Sequence, residues 1–242
     1  VSIVLPVYNE ADVLEASVRK VEWHLKKLGY DYEIIIAEDG STDGTDTIAA
    51  RMAHANKRMK HLHSVERLGR GGALKRAFRV AAGDVLVYLD IDLATDLSCL
   101  GKLISEIERG YDVSIGSRLL PGSDVKRSLA RSVASRCYNA LARGLFGTNV
   151  HDMQCGFKAF RSSMMPAIIA AQNNHWFWDT ETLLIAEASG AAISEVPVAW
   201  REINKSKVKI VKDAFDMGFS LVKLRTRLKP VAMHGSLQKV KK

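Results

Sequence analysis

Asp84-Val-Leu-Val-Tyr-Leu-Asp90-Ile-Asp92-Leu-Ala-Thr-Asp96 is the stretch on which the reading of this 242-residue chain turns. Val85 to Leu89 is a short apolar run of β-branched and aromatic residues, the pattern of a strand buried in a parallel sheet. Open α/β sheets take their ligands at the carboxyl ends of such strands, and there two aspartates follow, one residue apart. Residues i and i+2 of extended backbone point to one side, so Asp90 and Asp92 are expected to face one crevice. Two carboxylates brought together repel, and a divalent cation removes that cost. Mg²⁺ or Mn²⁺ is held in this way, by one or two carboxylates plus substrate phosphates. A strand end followed by a solvated acidic turn also accounts for the same residues.

Upstream, Val1–Pro6 reads as a strand and Val7-Tyr8-Asn9-Glu10 as a loop. Asn9 is the expected cap of a helix over 10–28, where Val13, Leu14, Val18, Val21, Leu25 and Leu28 recur at helical spacing, and Gly29 closes it. Tyr32–Ala37 is a second strand. It runs into Glu38-Asp39-Gly40-Ser41-Thr42-Asp43-Gly44-Thr45, a tight turn that opens a helix over 45–55. Residues 60–66 suggest a third strand, and Gly69-Arg70-Gly71-Gly72 a basic loop opening the next helix. That loop either holds phosphate through its N–H groups or is a flexible turn.

Downstream, a helix is expected over 97–109 and a strand over 112–116, ending in Ser117-Arg118. Residues 128–146 set Leu129, Val133, Tyr138, Leu141 and Leu145 against Arg131, Arg136 and Arg143, a basic amphipathic helix. His151–Phe160 is a loop-to-strand segment, and Trp176-Phe-Trp-Asp179-Thr-Glu181 enters another helix. Residues 193–200 form a further strand, 208–228 a last basic amphipathic helix, and 232–242 an unstructured tail. Strand and helix alternate, the sign of a mostly parallel, doubly wound sheet. No G-x-G-x-x-G follows the first strand and no G-x-x-x-x-G-K-[ST] occurs, which argues against a dinucleotide domain and a P-loop. His61-x-His63, His151 and His175 have no evident partner set for a metal and read as structural or surface histidines. Trp176 and Trp178 read as core or sugar-platform residues.

The bulk properties bound the answer. The length fits one domain, or a domain with a tail. Cys99, Cys137 and Cys155 are far apart and odd in number, as expected of reduced thiols in a cytosolic setting. No apolar run approaches the ~20 residues that span a bilayer. The chain begins at Val1 inside a strand pattern, as an excised piece would, which leaves flanking membrane segments open. The net charge of +8 is uneven: residues 201–242 carry twelve Lys/Arg against three Asp/Glu. That asymmetry points to an anionic partner for the C-terminal part, a membrane surface or nucleic acid.

The order of motifs is similar to that of family 2 glycosyltransferases of the polyprenyl-phosphate type, the dolichyl-phosphate glucosyltransferases and mannose synthases. The resemblance runs from Val1 to about Leu228. It rests on Pro6-Val-Tyr8-Asn9-Glu10, Glu38–Thr45, Gly69-Arg-Gly-Gly72, Asp90-Ile-Asp92, Gly116-Ser117-Arg118, Asp152-Met-Gln154-Cys-Gly156-Phe157-Lys158, and Glu195-Val-Pro-Val-Ala-Trp200 with Ser206-Lys207. It implies a glycosyltransferase A-type α/β fold with peripheral amphipathic helices. The catalytic domain would cover 1–205, acceptor-side helix 128–146 included, and 206–242 would be a basic helix and tail on a membrane surface.

The same resemblance implies roles. Pro6, Tyr8, Glu10, Glu38, Asp39, Gly71, Asp90, Ile91 and Asp92 would contact the nucleotide sugar, with Asp92 on an Mg²⁺ or Mn²⁺ ion. Glu38 stands where the family usually has aspartate, and Ala94 where mannose synthases have a metal-binding glutamine; the latter favours glucose over mannose. Arg118, Arg131 and Ser135 would hold the phosphate of a polyprenyl acceptor, and Asp152 would act as a base or orient the sugar, unless it only caps a turn. Arg131 taken alone also fits a solvated helix face.

The chemistry fits these roles. A sugar diphosphate brings its own leaving group, and a lipid phosphate is nucleophilic at neutral pH, so inversion at C1 depends mainly on electrostatics and positioning. The expected function is transfer of a hexose, from UDP-glucose before GDP-mannose, to polyprenyl phosphate, on the cytoplasmic face of a membrane. The alternatives are a family 2 enzyme with a glycan, protein or other lipid acceptor, and a non-catalytic nucleotide-sugar or nucleic-acid module. No aromatic stripe accompanies the basic tail, so no nucleic-acid partner is expected. Q-x-x-R-W is absent, which disfavours a processive synthase.

Overall fold

The computed structural model of the chain describes residues 1–202 and 210–228. The expected Ser206-Lys207 motif and the tail at 232–242 lie outside the described residues. Nine strands and eight helices are present among them: β1 Ser2–Val7, α1 Ala11–Leu28, β2 Glu33–Glu38, α2 Thr45–Ala55, β3 Met59–Leu62, α3 Arg70–Phe78, β4 Val85–Leu89, α4 Leu100–Glu108, β5 Val113–Ser117, β6 Asp124–Lys126, α5 Leu129–Phe146, β7 Phe157–Arg161, α6 Met165–Ala170, α7 Trp178–Ala188, β8 Ile193–Pro197, β9 Ala199–Arg201 and α8 Ile210–Arg227.

Seven strands form one sheet in the order β3-β2-β1-β4-β7-β5-β8. All its pairings are parallel except those of β7, which runs antiparallel between β4 and β5. β6 and β9 pair separately as a parallel two-stranded sheet. Strands β1, β2 and β4 are buried almost throughout, as a sheet covered on both faces requires. On one face Leu14, Val18, Val21 and Leu25 of α1 meet Leu100, Leu103 and Ile104 of α4 over Ile3, Leu5, Ile34 and Ile36. On the other, Leu74 and Phe78 of α3 join Phe146, Trp178 and Leu221 over Val4, Ile35 and Tyr88. Each such side chain, fully buried, contributes about 1.5–3 kcal/mol.

Several expectations change in detail. Asn9 does not cap α1: its side-chain oxygen accepts the Thr42 N–H at 2.8 Å, and the Asp43 carboxylate accepts from Ala11 N instead. The loops after β1 and β2 are thereby tied together, and further by Ser41 Oγ accepting from Asn9 N and Thr45 Oγ1 from Glu10 N. The third strand stops at Leu62, and Ser64 Oγ donates to the Glu66 carbonyl in the turn beyond it. The strand expected over 193–200 divides at Pro197, which has no N–H to continue a ladder. β8 pairs with β5, and β9 leaves to pair with β6.

α5 forms as expected, but Ser135, Asn139, Ala142 and Phe146 are its buried residues, whereas Leu129, Val133 and Leu141 are exposed. α8 packs along α5 through Met217, Leu221 and Leu224, leaving Phe219 and Val222 exposed. No helix of the described residues is long and apolar enough to cross a membrane.

Phe78 is fully buried, with its ring 6.0–6.4 Å from those of Phe160, Tyr88 and Trp178. Phe78→Ala is expected to cost roughly 3–5 kcal/mol of stability, read as a lowered urea midpoint at unchanged slope.

Candidate active site

The acidic pair sits at the carboxyl end of β4, on the edge where β1 and β2 also end. Both residues line one shallow cleft, together with Ala94, Gly156, Phe157 and Trp200. The chain turns sharply after Asp90: Leu93 N donates to the Asp90 carbonyl, and Leu93 takes a left-handed φ of 52°. A non-glycine residue there carries a strain of about 1–2 kcal/mol. Asp92 accepts the Ala94 N–H at 3.1 Å. Burial, reinforced by the charge of Asp90, pushes its carboxyl above the ordinary range. Ile91, between the two, is buried in the core.

Asp90 is held from behind. Its N–H donates to the Gly156 carbonyl. A Cβ on Gly156 would lie 1.9 Å from Asp90 Oδ2, so only glycine admits the carboxylate. Arg70 donates to Asp90 Oδ1 through Nε at 3.2 Å and Nη2 at 2.7 Å, and through Nη1 to Asp179. Asp179 also accepts from Tyr88 Oη, and from Lys158 Nζ at 2.7 Å. Lys158 is fully buried and donates further to the Cys155 carbonyl at 2.6 Å. Burial pushes the Asp179 carboxyl up to about 6 and the Lys158 amine down to about 7. The two carboxylates hold the Arg70 guanidinium protonated although burial opposes it.

The glycine loop does not present its N–H groups to a ligand. Leu68 N and Gly69 N donate to Asp39, at 2.6 and 3.0 Å. Gly71 N and Gly72 N donate to the Asn174 carbonyl. The N–H groups of Gly69, Gly71 and Gly72 are thus used within the protein, which argues against the phosphate-cradle alternative. Gly71, expected to touch the nucleotide, is buried, and a Cβ there would meet Trp178 Cβ at 2.6 Å. Its smallness lets α3 approach α7 and so sets Arg70 between Asp90 and Asp179. Asp39, with its carboxyl raised by burial, anchors the segment that carries Arg67, whose guanidinium lies 3.8 Å from the Tyr8 ring centroid. Pro6, Tyr8 and Glu10 are half-buried at the same edge.

Glu38 departs from its expected place. It is 1% exposed, and strand alternation turns it to the face opposite Asp39. There Ser41 N donates to Oε1, and His63 Nδ1 lies 2.6 Å from Oε2. The His61-x-His63 pair, expected to have no ligand set, thus shares its surroundings with a carboxylate: one ligand atom from each of Glu38, His61 and His63 lies within 4.8 Å of the others.

Just beyond the end of β5, Arg118 and Asp152 form a forked pair. Arg118 donates through Nε at 2.7 Å and Nη2 at 2.8 Å, and its backbone N–H donates at 2.9 Å. Asp152 is fully buried, and the charge of Arg118 keeps its carboxyl below the usual range although burial acts the other way. Both oxygens are engaged, so the base or sugar-orienting role foreseen for it has no free lone pair turned to the cleft. Glu195 holds the loop in place by accepting from His151 N and Asp152 N. Arg118 lies 5.8 Å from the Trp200 ring centroid, beside the cleft. Arg131, in the first turn of α5, pairs with Glu202. Ser135 Oγ is buried without a hydrogen-bond partner among the described residues.

Sequence reading gave no role to Arg70, Lys158, Asp179 or Glu195. Asp179 looks like an ordinary acid in a helix's first turn, and only the fold puts it beside Arg70, 109 residues away. Lys158 gives a measurable consequence. An amine held near 7 in the native state but near 10.5 in the unfolded chain binds fewer protons when folded across that window. Stability therefore rises with pH between 7 and 10.5 through this group, by on the order of 1 kcal/mol per pH unit. Lys158→Met should flatten that rise, measured as urea midpoints at pH 7 and 9.

Residues 2–168 match the model of glycosyl transferase family 2. The chain is 45% identical over 227 residues to glycosyltransferase AglD of Haloferax volcanii, covering 92% of this chain but 36% of that protein. It is 29% identical over 246 residues to the dolichyl-phosphate beta-glucosyltransferase of Saccharomyces cerevisiae, covering 93% of this chain and 73% of the relative. The fold is similar to glucosyl-3-phosphoglycerate synthase of Mycobacterium tuberculosis, solved with Mn²⁺, UDP-glucose and phosphoglyceric acid, with a TM-score of 0.68 at 20% identity over 94% of this chain and 79% of that one. With an A-type α/β sheet and an acidic pair at the end of its central strand, the chain belongs to glycosyltransferase family 2.

Proposed function

We propose that this chain is an inverting hexosyltransferase that moves glucose, or next mannose, from a nucleotide-diphosphate sugar to polyprenyl phosphate. The observation that carries the reading is one cleft lined by Asp90 and Asp92, with Arg70 clamped between Asp90 and Asp179 and Arg118, held by Asp152, near the Trp200 ring of the same lining. The name of one relative, a dolichyl-phosphate beta-glucosyltransferase, supports the acceptor class.

Two carboxylates facing one cleft, one of them short of positive charge, suit a hard divalent cation, Mg²⁺ or Mn²⁺. Such an ion, when bound, would neutralise charge on the diphosphate leaving group. The protein's own part is positioning. Asp39, Tyr8 and Arg67 would receive the nucleoside, with Pro6 and Glu10 at the rim. Arg70, fixed by two carboxylates, offers a positive charge beside the diphosphate without reorganising. Arg118 would face the acceptor phosphate. Asp152 then acts as a positioning residue: it takes Nε and Nη2 of Arg118 and so aims the remaining Nη1 at the phosphate. A lipid phosphate needs little help from a base, which agrees with an Asp152 that has no free oxygen.

Arg131 and Ser135 would complete the acceptor side. The pairing of Arg131 with Glu202 is one that an incoming phosphate could replace, and the Ser135 hydroxyl lacks a partner that a phosphate oxygen would supply. The acceptor's tail lies in a bilayer, and the exposed Leu129, Val133, Leu141, Phe219 and Val222 beside Arg136 and Lys223 suit the headgroup region. We place this surface on the cytoplasmic face of a membrane, with 1–205 as the catalytic domain and 206–242 as its basic membrane-contacting extension.

The experiment is incubation with UDP-glucose, GDP-mannose and UDP-N-acetylglucosamine, each with polyprenyl phosphate and Mg²⁺ or Mn²⁺. Sugar should appear on extracted lipid phosphate, fastest from UDP-glucose; transfer to glycan or protein alone would overturn the assignment. Asp92→Ala should abolish transfer, by at least about 100-fold, with an unchanged circular dichroism spectrum. Arg131→Ala should raise KM for polyprenyl phosphate several-fold while leaving donor affinity unaltered.

A further inference from the structure

A second constellation of ligating groups stands at the ends of β2 and β3, on the sheet face opposite Asp39. Glu38 is removed from water, His61 is half-buried and His63 is exposed. The two imidazole rings lie 6.0 Å apart, tilted by 53°. Strand β3 places His61 level with Ile36, two residues before Glu38, and His63 continues on the same side. An independent observation points to a missing partner: His61 Nε2 is buried with no hydrogen-bond partner among the described residues. A buried ring nitrogen left unsatisfied is unfavourable.

We propose that Glu38, His61 and His63 bind a borderline divalent ion of the Zn²⁺ class, at a site separate from the acidic pair. Two imidazoles and one carboxylate are a zinc-type donor set with a fourth position left for water, whereas Mg²⁺ takes oxygen ligands. Bound through Nε2, the ion gives His61 the partner it lacks. The exposed His63 provides the way in. The ion takes the place of the direct His63–Glu38 contact, so the pair opens from 2.6 Å to span the metal.

The site has a consequence for its neighbours. The chain leaving His63 crowds Gly40, where a Cβ would meet Arg67 N at 3.2 Å. It then delivers Arg67 to the Tyr8 ring and Leu68 and Gly69 to Asp39. A metal clip at His63 fixes the start of the segment whose end carries Arg70.

The test titrates the purified chain with Zn²⁺ alone, without nucleotide, by calorimetry. Co²⁺ absorption reports the coordination geometry. One Zn²⁺ per chain is expected for the unaltered protein and for Asp92→Ala, with a loss of at least about tenfold in affinity for His63→Ala and for Glu38→Gln. His63 is on the surface, so His63→Ala should melt like the parent without metal even if Glu38→Gln fails to fold. Absence of Zn²⁺ binding, binding indifferent to His63→Ala, or binding lost in Asp92→Ala would each overturn the proposal. Failure of sugar transfer would bear only on the acidic pair.

Discussion

One guanidinium, that of Arg70, is shared by two carboxylates from distant parts of the chain, and the floor of the cleft depends on it. Arg70 is mostly buried, and Asp179 and Lys158 are almost wholly so. Removing one member of such a set leaves another charge buried and unpaired, at roughly 3–5 kcal/mol. The set therefore has to close as a unit. It brings together the start of α3, the end of β4, the middle of β7 and the first turn of α7. Small residues make this possible: Gly71 lets α3 touch Trp178, and Gly156 leaves room for Asp90.

The end of β5 repeats the device with other residues. Arg118 follows the end of β5, mostly buried, and is clamped by Asp152, whose loop is in turn capped by Glu195 from β8. Both arginines are thus rigid before any ligand arrives, and fixed charges act on a reaction without the cost of reorienting them. Asp92 has no such cation of its own. Its raised carboxyl marks the place where positive charge is still wanted.

The antiparallel strand β7 explains why the site is compact. Running against β4, it carries Lys158 and Gly156 back to the edge where β4 ends. The adjoining loop contributes Asp152, so the partner of Arg118 and two supports of the Arg70 clamp, Gly156 beside Asp90 and Lys158 beside Asp179, lie within residues 152–158. The apolar residues left outside on α5 and α8 have a related origin. Polar Ser135 and Asn139 occupy the inward face of α5, where Asn139 binds Met153 N, and Leu129 and Val133 are consequently turned outward.

Much of this was legible in the sequence. The apolar run Val85–Leu89, the helical spacing from Val13 to Leu28 and the glycine-bounded turns gave the alternating layers, because strand and helix periodicities are local properties. Asp90 and Asp92 do line one cleft, but a turn over residues 90–93, and not extended backbone, brings them there. Tertiary structure alone decided which groups those residues meet. Nothing near Asp179 announces Arg70, the glycine loop's N–H groups are claimed by Asp39 and Asn174, and Glu38 turns to two histidines rather than the crevice. Strand pairing and the packing of helices across the sheet set those partners, over separations that periodicity does not encode.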